Sequence, residues 1–536
     1  MSKATLFVLS LITGLLLALS WPSIADLPTL LFIGLAPLLY VCESEFINNK
    51  KSISGYSFVS FFTFNLLTTW WIYCVTESIE TKIFVVAAAV LVNTIMMTLV
   101  FQLFHYTRFK LGEIAGYTSL IAFWLGFEYL HLSWDLSWPW LNLGNGFANQ
   151  ITWIQWYEYT GTAGGTIWIL MINIFVFKTI KTAAIDGLSI AYNKQNLFFV
   201  TLGISVPICC SLIKYSTYEE KGSPIEVVVV QPNMDPYNEK YDLSQEEQLE
   251  KLLSLGKEKL SDSTIYIVAP ETAISDGFWE NDLEASGSTA RIREFLSDFP
   301  NCQLVTGVSS YYLFEENEKP SITARNLIGS DRKYDAYNSA FQFNNSPHIE
   351  IYHKSKLVQG VEMTPFEWLL KPLSNLSLDL GGITGSLGKQ DEPSVFRSID
   401  GERSIAPIIC YESIYGEYIG KYVNKGASLL CIMTNDGWWK KTPGHKQHLA
   451  YARLRAVETR RPVARAANTG ISAFINQRGD ILQQTEWWTE TAIKQTIQPN
   501  TQITFYTKYG DYLGRTSAFL SIAILLYALV TGLRRK

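Results

Sequence analysis

The sequence carries little charge, and its basic residues and cysteines are not arranged as in several common classes of protein. The net charge is −5 at pH 7, and no basic patch interleaves with aromatic residues, so nucleic acid is not an expected partner. The seven cysteines form no paired framework and no CxxC motif. His445 and His448 have no nearby carboxylate or thiol to complete a metal site, so neither a metal nor another cofactor is expected. The expected partners are lipids or small groups.

Apolar residues are abundant: 48% of the chain is hydrophobic and 14% is aromatic, which is high for a soluble protein. Crossing the hydrocarbon core of a bilayer takes about 20 apolar residues. Eight stretches are candidates, of which the second and sixth are short: residues 4–21, 27–42, 55–74, 83–104, 115–131, 162–178, 196–213 and 516–533. One such stretch is also compatible with a buried core helix, but a soluble domain has no use for so many in succession.

The loops between these stretches predict an orientation, because basic residues collect on the cytoplasmic side of a membrane. Basic residues follow the second, fourth and sixth stretches and end the chain: Lys50, Lys51, Arg108, Lys110, Lys178, Lys181, Lys194, Arg534, Arg535 and Lys536. Residues 22–27 and 131–161 contain no Lys or Arg, and Lys82 is the one exception to the pattern. Both termini are therefore predicted to be cytoplasmic. The segment between the seventh and eighth stretches then lies outside, which is the periplasm in a bacterium with two membranes.

From residue 215 the composition becomes that of an ordinary globular domain. Short β-rich runs alternate with polar helical stretches: residues 225–230, 263–269, 302–308, 337–343, 349–353, 405–410, 428–433 and 462–467. This alternation predicts an α/β domain of layered sheets flanked by helices. The chain thus divides into helical residues 1–214, an α/β domain at 215–515 and a final helix at 516–536. Residues 367–393, rich in Leu, Gly and Ser, are predicted to form a mobile loop.

Three of the β-rich runs end at residues of different reactivity. Cys410 ends the run IAPIIC, Glu271 follows IYIVAP, and Lys354 follows IEIYH. Covalent catalysis at a carbonyl needs a thiol to attack, a carboxylate to take its proton and a cation to hold the developing oxyanion. Cys302 and Cys431 share the α/β domain with Cys410. The sequence is compatible with a disulfide between two of the three. The odd number leaves at least one thiol unpaired there, and Cys410 is the candidate nucleophile.

Each of the three residues also has an ordinary explanation when it is taken alone. A free cysteine at the end of an apolar run is often a buried structural residue. Glu271 follows Pro270 and is compatible with a carboxylate at a helix start. Lys354 lies two residues from Lys356, and either is compatible with a solvated lysine.

The segments PETA, YHK and CYES, which hold Glu271, Lys354 and Cys410, resemble the Glu-Lys-Cys triad of the nitrilase superfamily. Together with the apolar stretches, nearly the whole chain resembles the apolipoprotein N-acyltransferase family. The resemblance implies a four-layer αββα sandwich, with Glu271 as the base, Cys410 as the nucleophile and Lys354 as the cation. The family pattern also places a tyrosine before the lysine and Leu-Val after it, as Tyr352 and residues 357–358 do here.

The resemblance extends to residues around the triad. Glu362 keeps the register of a family glutamate, although residues 359–361 read Gln-Gly-Val where the family has Pro-Phe-Gly. Tyr411 and Glu412 match the family's Cys-Tyr-Glu, and Glu412 is expected to orient Lys354 or Glu271. Tyr241 matches an aromatic residue near the acyl chain only if one extra residue is allowed. Trp138 lies in an aromatic loop that resembles a lipid-facing family segment and equally suits a plain interfacial belt.

The leading hypothesis is a multi-pass enzyme of the bacterial inner membrane that transfers acyl groups in two steps and acts as a monomer. It takes a fatty acyl chain from a membrane phospholipid as a Cys410 thioester. It then passes the chain to the α-amino group of the diacylglyceryl-cysteine that begins an apolipoprotein. A membrane-anchored nitrilase-like amidase is the alternative, although one helix suffices as an anchor. A transporter or receptor with a degenerate domain is a third class, for which Glu128 within an apolar stretch is the supporting feature.

Overall fold

The computed structural model describes residues 1–75, 79–184, 194–235, 244–366 and 386–534. The chain forms two compact units. The first comprises Met1–Tyr218 with Tyr509–Lys536, and the second comprises Glu219–Lys508. Most of the loop predicted at 367–393 lies outside the described residues.

The first unit begins with seven helices: α1 Lys3–Ser20, α2 Ala36–Ile47, α3 Ser54–Thr69, α4 Ile79–Leu111, α5 Glu113–Leu130, α6 Tyr157–Ala184 and α7 Lys194–Thr217. Among the described residues, six segments are long and apolar enough to cross a membrane: Lys3–Ser20, Pro28–Ile47, Lys82–Leu111, Tyr157–Thr182, Lys194–Thr217 and Tyr512–Thr531. The third and fifth predicted stretches do not meet this measure, and the total of eight stays a prediction. The third predicted stretch forms a helix of only 16 residues, and the fifth lies on helix α5, which carries Glu113 and Glu128.

Glu128 accepts several hydrogen bonds within the first unit. Its carboxylate is buried and accepts hydrogen bonds from Trp124 Nε1 at 3.0 Å and from Thr166 Oγ1 at 2.8 Å. It also accepts the backbone N–H of Leu143 at 2.7 Å. A buried carboxylate with several donors is satisfied in place. Glu128 thereby ties the aromatic loop after α5 to helices α5 and α6.

The second unit contains two sheets. The described strands are β1 Ile225–Gln231, β2 Thr264–Val268, β3 Ile274–Trp279, β4 Gln303–Leu313, β5 Arg325–Asn326, β6 Lys333–Phe343, β7 Glu350–His353, β8 Phe396–Arg397, β9 Ser404–Ile409, β10 Leu429–Thr434, β11 Val463–Ala467, β12 Ala473–Ile475, β13 Ile481–Gln484 and β14 Thr491–Ile497. The first sheet has the order β14-β1-β2-β4-β6-β5, with β3 on β4 and β7 on β6. The second has the order β13-β12-β11-β10-β9-β8. All eight predicted β-rich runs form strands.

Helices cover the outer faces of the two sheets. The described helices that follow β1 are α8 Gln245–Lys257, α9 Gly287–Ser297, α10 Gly416–Asn424, α11 Pro443–Thr459, α12 Phe505–Tyr509 and α13 Tyr512–Arg534, of which α13 belongs to the first unit. Helix α8 contacts β1 and β3, while α10 contacts β9. Between the helices, β1 and β2 of the first sheet contact β11 of the second, and β6 contacts β9. This helix-sheet-sheet-helix order confirms the predicted αββα sandwich.

Strands β9, β10 and β11 are parallel neighbours. Their residues are buried almost throughout, which explains why these runs are apolar on both faces. Ile409 pairs with Met433 across β9 and β10, so the residues that follow, Cys410 just after β9 and Thr434 at the end of β10, lie side by side. The register therefore brings chemically active side chains to one edge of the second sheet.

Candidate active site

Cys410 is the first residue after β9 and turns the chain with a φ of 50°. Such a φ is unfavourable for residues other than glycine and persists only when surrounding contacts hold it. The carbonyl of Cys410 accepts a hydrogen bond from Ser413 Oγ at 2.7 Å and lies 3.2 Å from His448 Nε2. These contacts fix the backbone from which the thiol projects.

Lys354 lies between two carboxylates at the end of β7. Its ammonium donates to Glu271 Oε1 at 3.0 Å and to Glu362 Oε1 at 2.9 Å. Asn338 Nδ2 on β6 bridges the same two oxygens at 2.8 Å and 2.9 Å. The side chain of Lys354 is 1% exposed, so the ammonium interacts with these partners with little screening by water. The structure thus brings together Glu271, Lys354 and Glu362 as predicted from their separate segments.

The burial and the charges of this cluster set its protonation. Burial alone would raise the pKa of Glu271, but Lys354 and the hydrogen bonds hold that pKa below its ordinary value of 4.5. Burial opposes the charge of Lys354, yet Glu271 and Glu362 raise its pKa well above 10.5. Burial and the charge of Glu271 raise the pKa of Cys410 well above 9.0, against the effects of Lys354 and Thr434. The resting site therefore holds a carboxylate, an ammonium and a neutral thiol.

This protonation leaves Glu271 free to take the proton of the thiol. A hydrogen-bond interaction with Cys410 is one of the effects that hold the pKa of Glu271 low, so Glu271 is the candidate acceptor for the proton of the thiol. Lys354 keeps a positive charge beside them. The arrangement can deprotonate the thiol as it attacks a carbonyl carbon and can stabilise the oxyanion that forms.

Glu362 is held by the turn whose sequence departs from the family pattern. Its second oxygen accepts the backbone N–H of Val358 at 2.8 Å, and its own N–H donates to the Val358 carbonyl at 2.8 Å. Gly360 lies within this turn at a φ of 76°, a conformation that favours glycine. Although the turn sequence differs from the family pattern, Glu362 still contacts Lys354.

Glu412 joins the cysteine turn to the lysine turn. One carboxylate oxygen accepts the hydroxyl of Tyr352 at 2.6 Å and the N–H of Ser355 at 2.7 Å, while the other accepts the N–H of Ile409 at 2.9 Å. Glu412 is fully buried. Its contact with Ser355 places it next to Lys354 along the chain, and its role in orienting Lys354 or Glu271 stays a prediction.

The other predicted residues fall in different places. Tyr411 is buried, with its ring centroid 5.4 Å from that of Tyr415. Tyr241 lies outside the described residues. Trp138 belongs to the first unit and stacks on Trp140 with ring centroids 5.4 Å apart. The substrate-binding roles of Tyr241 and Trp138 stay predictions.

Sequence reasoning missed several residues that surround the cysteine. The sequence predicts Asn338 only as part of a strand, although a polar residue within a β-rich run is a usable signal of a buried polar contact. Thr434, which follows the β-rich run at residues 428–433, was not singled out, yet its Oγ1 lies 3.2 Å from Cys410 Sγ. Nearby, Asp436 Oδ1 lies 3.1 Å from His448 Nδ1. Within the described ranges, no group of three or more His, Cys, Asp or Glu side chains is arranged to hold a metal ion.

Comparison with known proteins agrees with both units. The carbon-nitrogen hydrolase family model matches residues 226–505, and the model of the apolipoprotein N-acyltransferase N-terminal domain matches residues 13–175. The first match covers the two sheets and the helices on them. The second covers the helices α2 to α5, the C-terminal part of α1 and most of α6.

Curated relatives span almost the whole chain. Apolipoprotein N-acyltransferase of Chlorobaculum tepidum is 30% identical over 538 residues, covering 99% of this chain and 97% of that protein. The enzyme of the same name from Geobacter metallireducens is 27% identical, covering 94% and 92%. That from Thermotoga maritima is 26% identical, covering 98% and 95%. By its sheets, its helices and its full-length similarity to these relatives, the chain belongs to the apolipoprotein N-acyltransferase family.

Proposed function

We propose that this chain transfers a fatty acyl group from a membrane phospholipid to the α-amino group of the diacylglyceryl-cysteine that begins an apolipoprotein. The observation that carries the proposal is the buried cluster of Glu271, Lys354 and Glu362 beside Cys410. The described residues of the same chain include six segments that are long and apolar enough to cross a membrane. Substrates that lie in a bilayer need such a setting, because both the acyl donor and the lipid-modified acceptor are membrane-bound.

In the first step Cys410 takes the acyl group. The thiol proton passes to Glu271 as Sγ bonds to the ester carbonyl carbon of the phospholipid, and Lys354 stabilises the oxyanion. The ester C–O bond then breaks, and Glu271 returns the proton to the departing lysophospholipid oxygen. The products are a Cys410 thioester and a lysophospholipid.

In the second step the acceptor amine attacks the thioester carbon. The C–S bond breaks, a proton of the amine passes to Glu271 and then to the leaving thiolate, and an amide remains on the lipoprotein. Lys354 stabilises the second oxyanion in the same way. Water must be kept from the thioester between the steps, and an apolar setting serves that purpose.

The proposal also places the enzyme in the cell. We propose that residues 215–515 form a periplasmic catalytic domain and that both termini are cytoplasmic, on the basis of the distribution of basic residues in the loops. The eight helical segments at residues 1–214 and 516–536 form the membrane part. One chain supplies the nucleophile, the base and the cation, so we propose that a monomer is active.

The alternative, a membrane-bound amidase, would use the same Cys410, Glu271 and Lys354. The two activities differ in the acyl acceptor, which is an amine for a transferase and water for a hydrolase. Full-length similarity to apolipoprotein N-acyltransferases favours the transferase.

The first prediction tests the order of events. Detergent-purified protein given phospholipid alone should release lysophospholipid in about a one-to-one burst and carry a hydroxylamine-sensitive acyl group on Cys410, the sign of a covalent two-step reaction. Mass spectrometry of the Cys410 peptide identifies the group. Cys410→Ala should show neither signal, and Glu271→Gln should slow the burst.

Acceptor peptides separate the two activities. A diacylglyceryl-cysteine peptide with a free amine should discharge the thioester, and the same peptide with an acetylated amine should leave it in place. Rapid discharge by water, with no advantage to the free amine, would rule out the transferase in favour of a hydrolase.

A further inference from the structure

Thr434 has a position beside the reacting sulfur that the mechanism above does not use. It is the last residue of β10, and the parallel pairing of Ile409 with Met433 sets it next to Cys410. Its hydroxyl is buried and lies 3.2 Å from Cys410 Sγ, within hydrogen-bond distance for sulfur. This oxygen is the donor that reaches the nucleophile from the second sheet.

The same hydroxyl has a second acceptor. Asp436 Oδ1 lies 2.9 Å from Thr434 Oγ1. A hydroxyl has a single hydrogen, so it donates to the sulfur or to the carboxylate at any one time. A neutral thiol is a weak acceptor, and a carboxylate is a strong one. The hydroxyl therefore favours Asp436 while Cys410 is a thiol, and the sulfur competes for it once it carries negative charge.

Asp436 is held in place as a carboxylate. Arg465 Nη2 donates to its other oxygen at 2.6 Å, and all three of Asp436, Arg465 and His448 are fully buried. Burial would raise the pKa of Asp436, but Arg465 and His448 hold it well below its ordinary value. The acceptor of the Thr434 hydroxyl in the resting site is thus fixed in both position and charge.

His448 connects this carboxylate to the backbone of the nucleophile. Its Nε2 lies 2.8 Å from Ser413 Oγ and 3.2 Å from the Cys410 carbonyl. Ser413 Oγ donates to that carbonyl at 2.7 Å, so Ser413 and His448 both contact the backbone of Cys410. The network that positions Thr434 also holds the left-handed turn at Cys410.

We propose that Thr434 is a further catalytic residue of this site: its hydroxyl turns from Asp436 to Cys410 Sγ as the sulfur gains negative charge and stabilises it. The charge develops twice, when the thiol loses its proton to Glu271 and when the thiolate leaves the tetrahedral intermediate of the second step. The hydroxyl keeps its own proton throughout. The inference rests on the proposed function for its place in the reaction, and its chemistry at Cys410 is measurable without any lipid.

The test is the reaction of Cys410 with iodoacetamide as a function of pH, followed by mass spectrometry of the Cys410 peptide in the detergent-purified full-length protein. Thr434→Val keeps the shape and removes the hydroxyl. It should slow alkylation at pH 8 by at least about tenfold and move the pKa of the thiol up by at least about one unit, the lower end of what a hydrogen bond to a charged group contributes. Thr434→Ser should stay within about twofold of wild type, since it restores the donor.

A matched control is Thr459→Val, at the C-terminal end of α11. Thr459 is buried, and its hydroxyl donates to the Arg455 carbonyl at 2.7 Å. This variant should alkylate like wild type. If Thr434→Val gives no folded protein, Thr434→Ala serves as the same test, because alanine also lacks the hydroxyl and is smaller than threonine.

A hydroxyl that only caps the strand end would lower thermal stability and leave the pH profile of alkylation unchanged, which would overturn the proposal. The phospholipid burst in the same variants separates the two hypotheses. A normal burst in Thr434→Val would overturn the role of Thr434 alone. No burst in the wild type, with the alkylation difference intact, would overturn the proposed function and leave the effect of Thr434 on the thiol standing.

Discussion

Lys354 is shared by two carboxylates, and this sharing decides how basic Glu271 can be. If Glu271 were its only partner, the ammonium would stabilise the charge of Glu271 fully and make it a poor proton acceptor. Glu362 accepts from the same ammonium at 2.9 Å and from the same Asn338 amide at 2.9 Å. The second carboxylate thereby offsets the charge of Lys354 and leaves Glu271 a more effective base.

Glu362→Gln should therefore reduce the rate of Cys410 acylation by at least about tenfold, with folding intact. Two physical changes act together. The lost charge lets Lys354 hold the proton-accepting form of Glu271 more tightly. The amide also has one oxygen for two sets of donors, so either Lys354 or the N–H of Val358 loses its acceptor. Single-turnover release of lysophospholipid measures the effect.

Glu402 provides the control for this substitution. Its side chain is 72% exposed, so Glu402→Gln should acylate at the wild-type rate. Wild-type acylation by folded Glu362→Gln would mean that the turn at residues 359–362 has only a structural role.

The protonation of the site predicts a flat pH profile. The pKa of Glu271 lies below 4.5, that of Cys410 above 9.0 and that of Lys354 above 10.5, so each group keeps one state between about pH 5.5 and about pH 8. The single-turnover acylation rate should change little across this range. A rise with a midpoint near neutral pH would contradict the general-base mechanism, because it would indicate a thiol that ionises before it attacks.

The same directions fix how the site contributes to stability. The pKa of Glu271 is lowered on folding, so its contribution is present above the unfolded pKa and is lost as the pH falls through the folded one. The pKa of Lys354 is raised, so its contribution is present below the unfolded pKa and is lost as the pH rises through the folded one. At neutral pH both contributions are present.

At the scale of elements, Glu412 links the turns that follow β7 and β9. Its carboxylate accepts from Tyr352, Ser355 and Ile409, all within a buried region. Both carboxylate oxygens of Glu412 accept hydrogen bonds. In Glu412→Gln an NH₂ group replaces one of these oxygens, so a donor faces a donor there. We expect a loss of about 1–3 kcal/mol in the free energy of unfolding, typical of a buried group left without its partner.

Thermal unfolding in detergent should show this loss as a lower midpoint, and acylation should slow as well because both turns loosen. Tyr352→Phe removes one donor and should cost less than Glu412→Gln. Equal stability of wild type and Glu412→Gln would mean that the two turns are held by other contacts.

The strands that end at Glu271, Lys354 and Cys410 were predictable, because apolar runs followed by a polar residue have a strong local signal. The strands β3, β5, β8, β12, β13 and β14 were missed, since their residues become buried or paired only through distant partners. The same holds for Asn338 and Thr434. Asn338 meets Glu271 across 67 positions of sequence, and Thr434 meets Cys410 across 24. A contact set by sheet register has no local pattern in the sequence.

At the scale of the whole molecule, composition predicted the division into an apolar unit and an α/β unit. It did not anticipate where α3 would end, and this helix of 16 residues is shorter than the segments that meet the length of a membrane span. The orientation rests on charge rather than on length. Basic residues follow the second, fourth and sixth apolar stretches, and this alternation is what a cytoplasmic side requires.

Labelling of single cysteines tests that orientation. In a background without other cysteines, Ser133→Cys and Ser330→Cys should react with a membrane-impermeant maleimide in intact spheroplasts, and Ser52→Cys should react only after lysis. All three serines are exposed, so a difference in labelling reports the side of the membrane rather than burial. Ser52 follows Lys50 and Lys51, while Ser133 lies in a loop without Lys or Arg. Labelling of Ser52→Cys alone in intact spheroplasts would invert the topology and place the catalytic domain in the cytoplasm, where the proposed periplasmic enzyme cannot act.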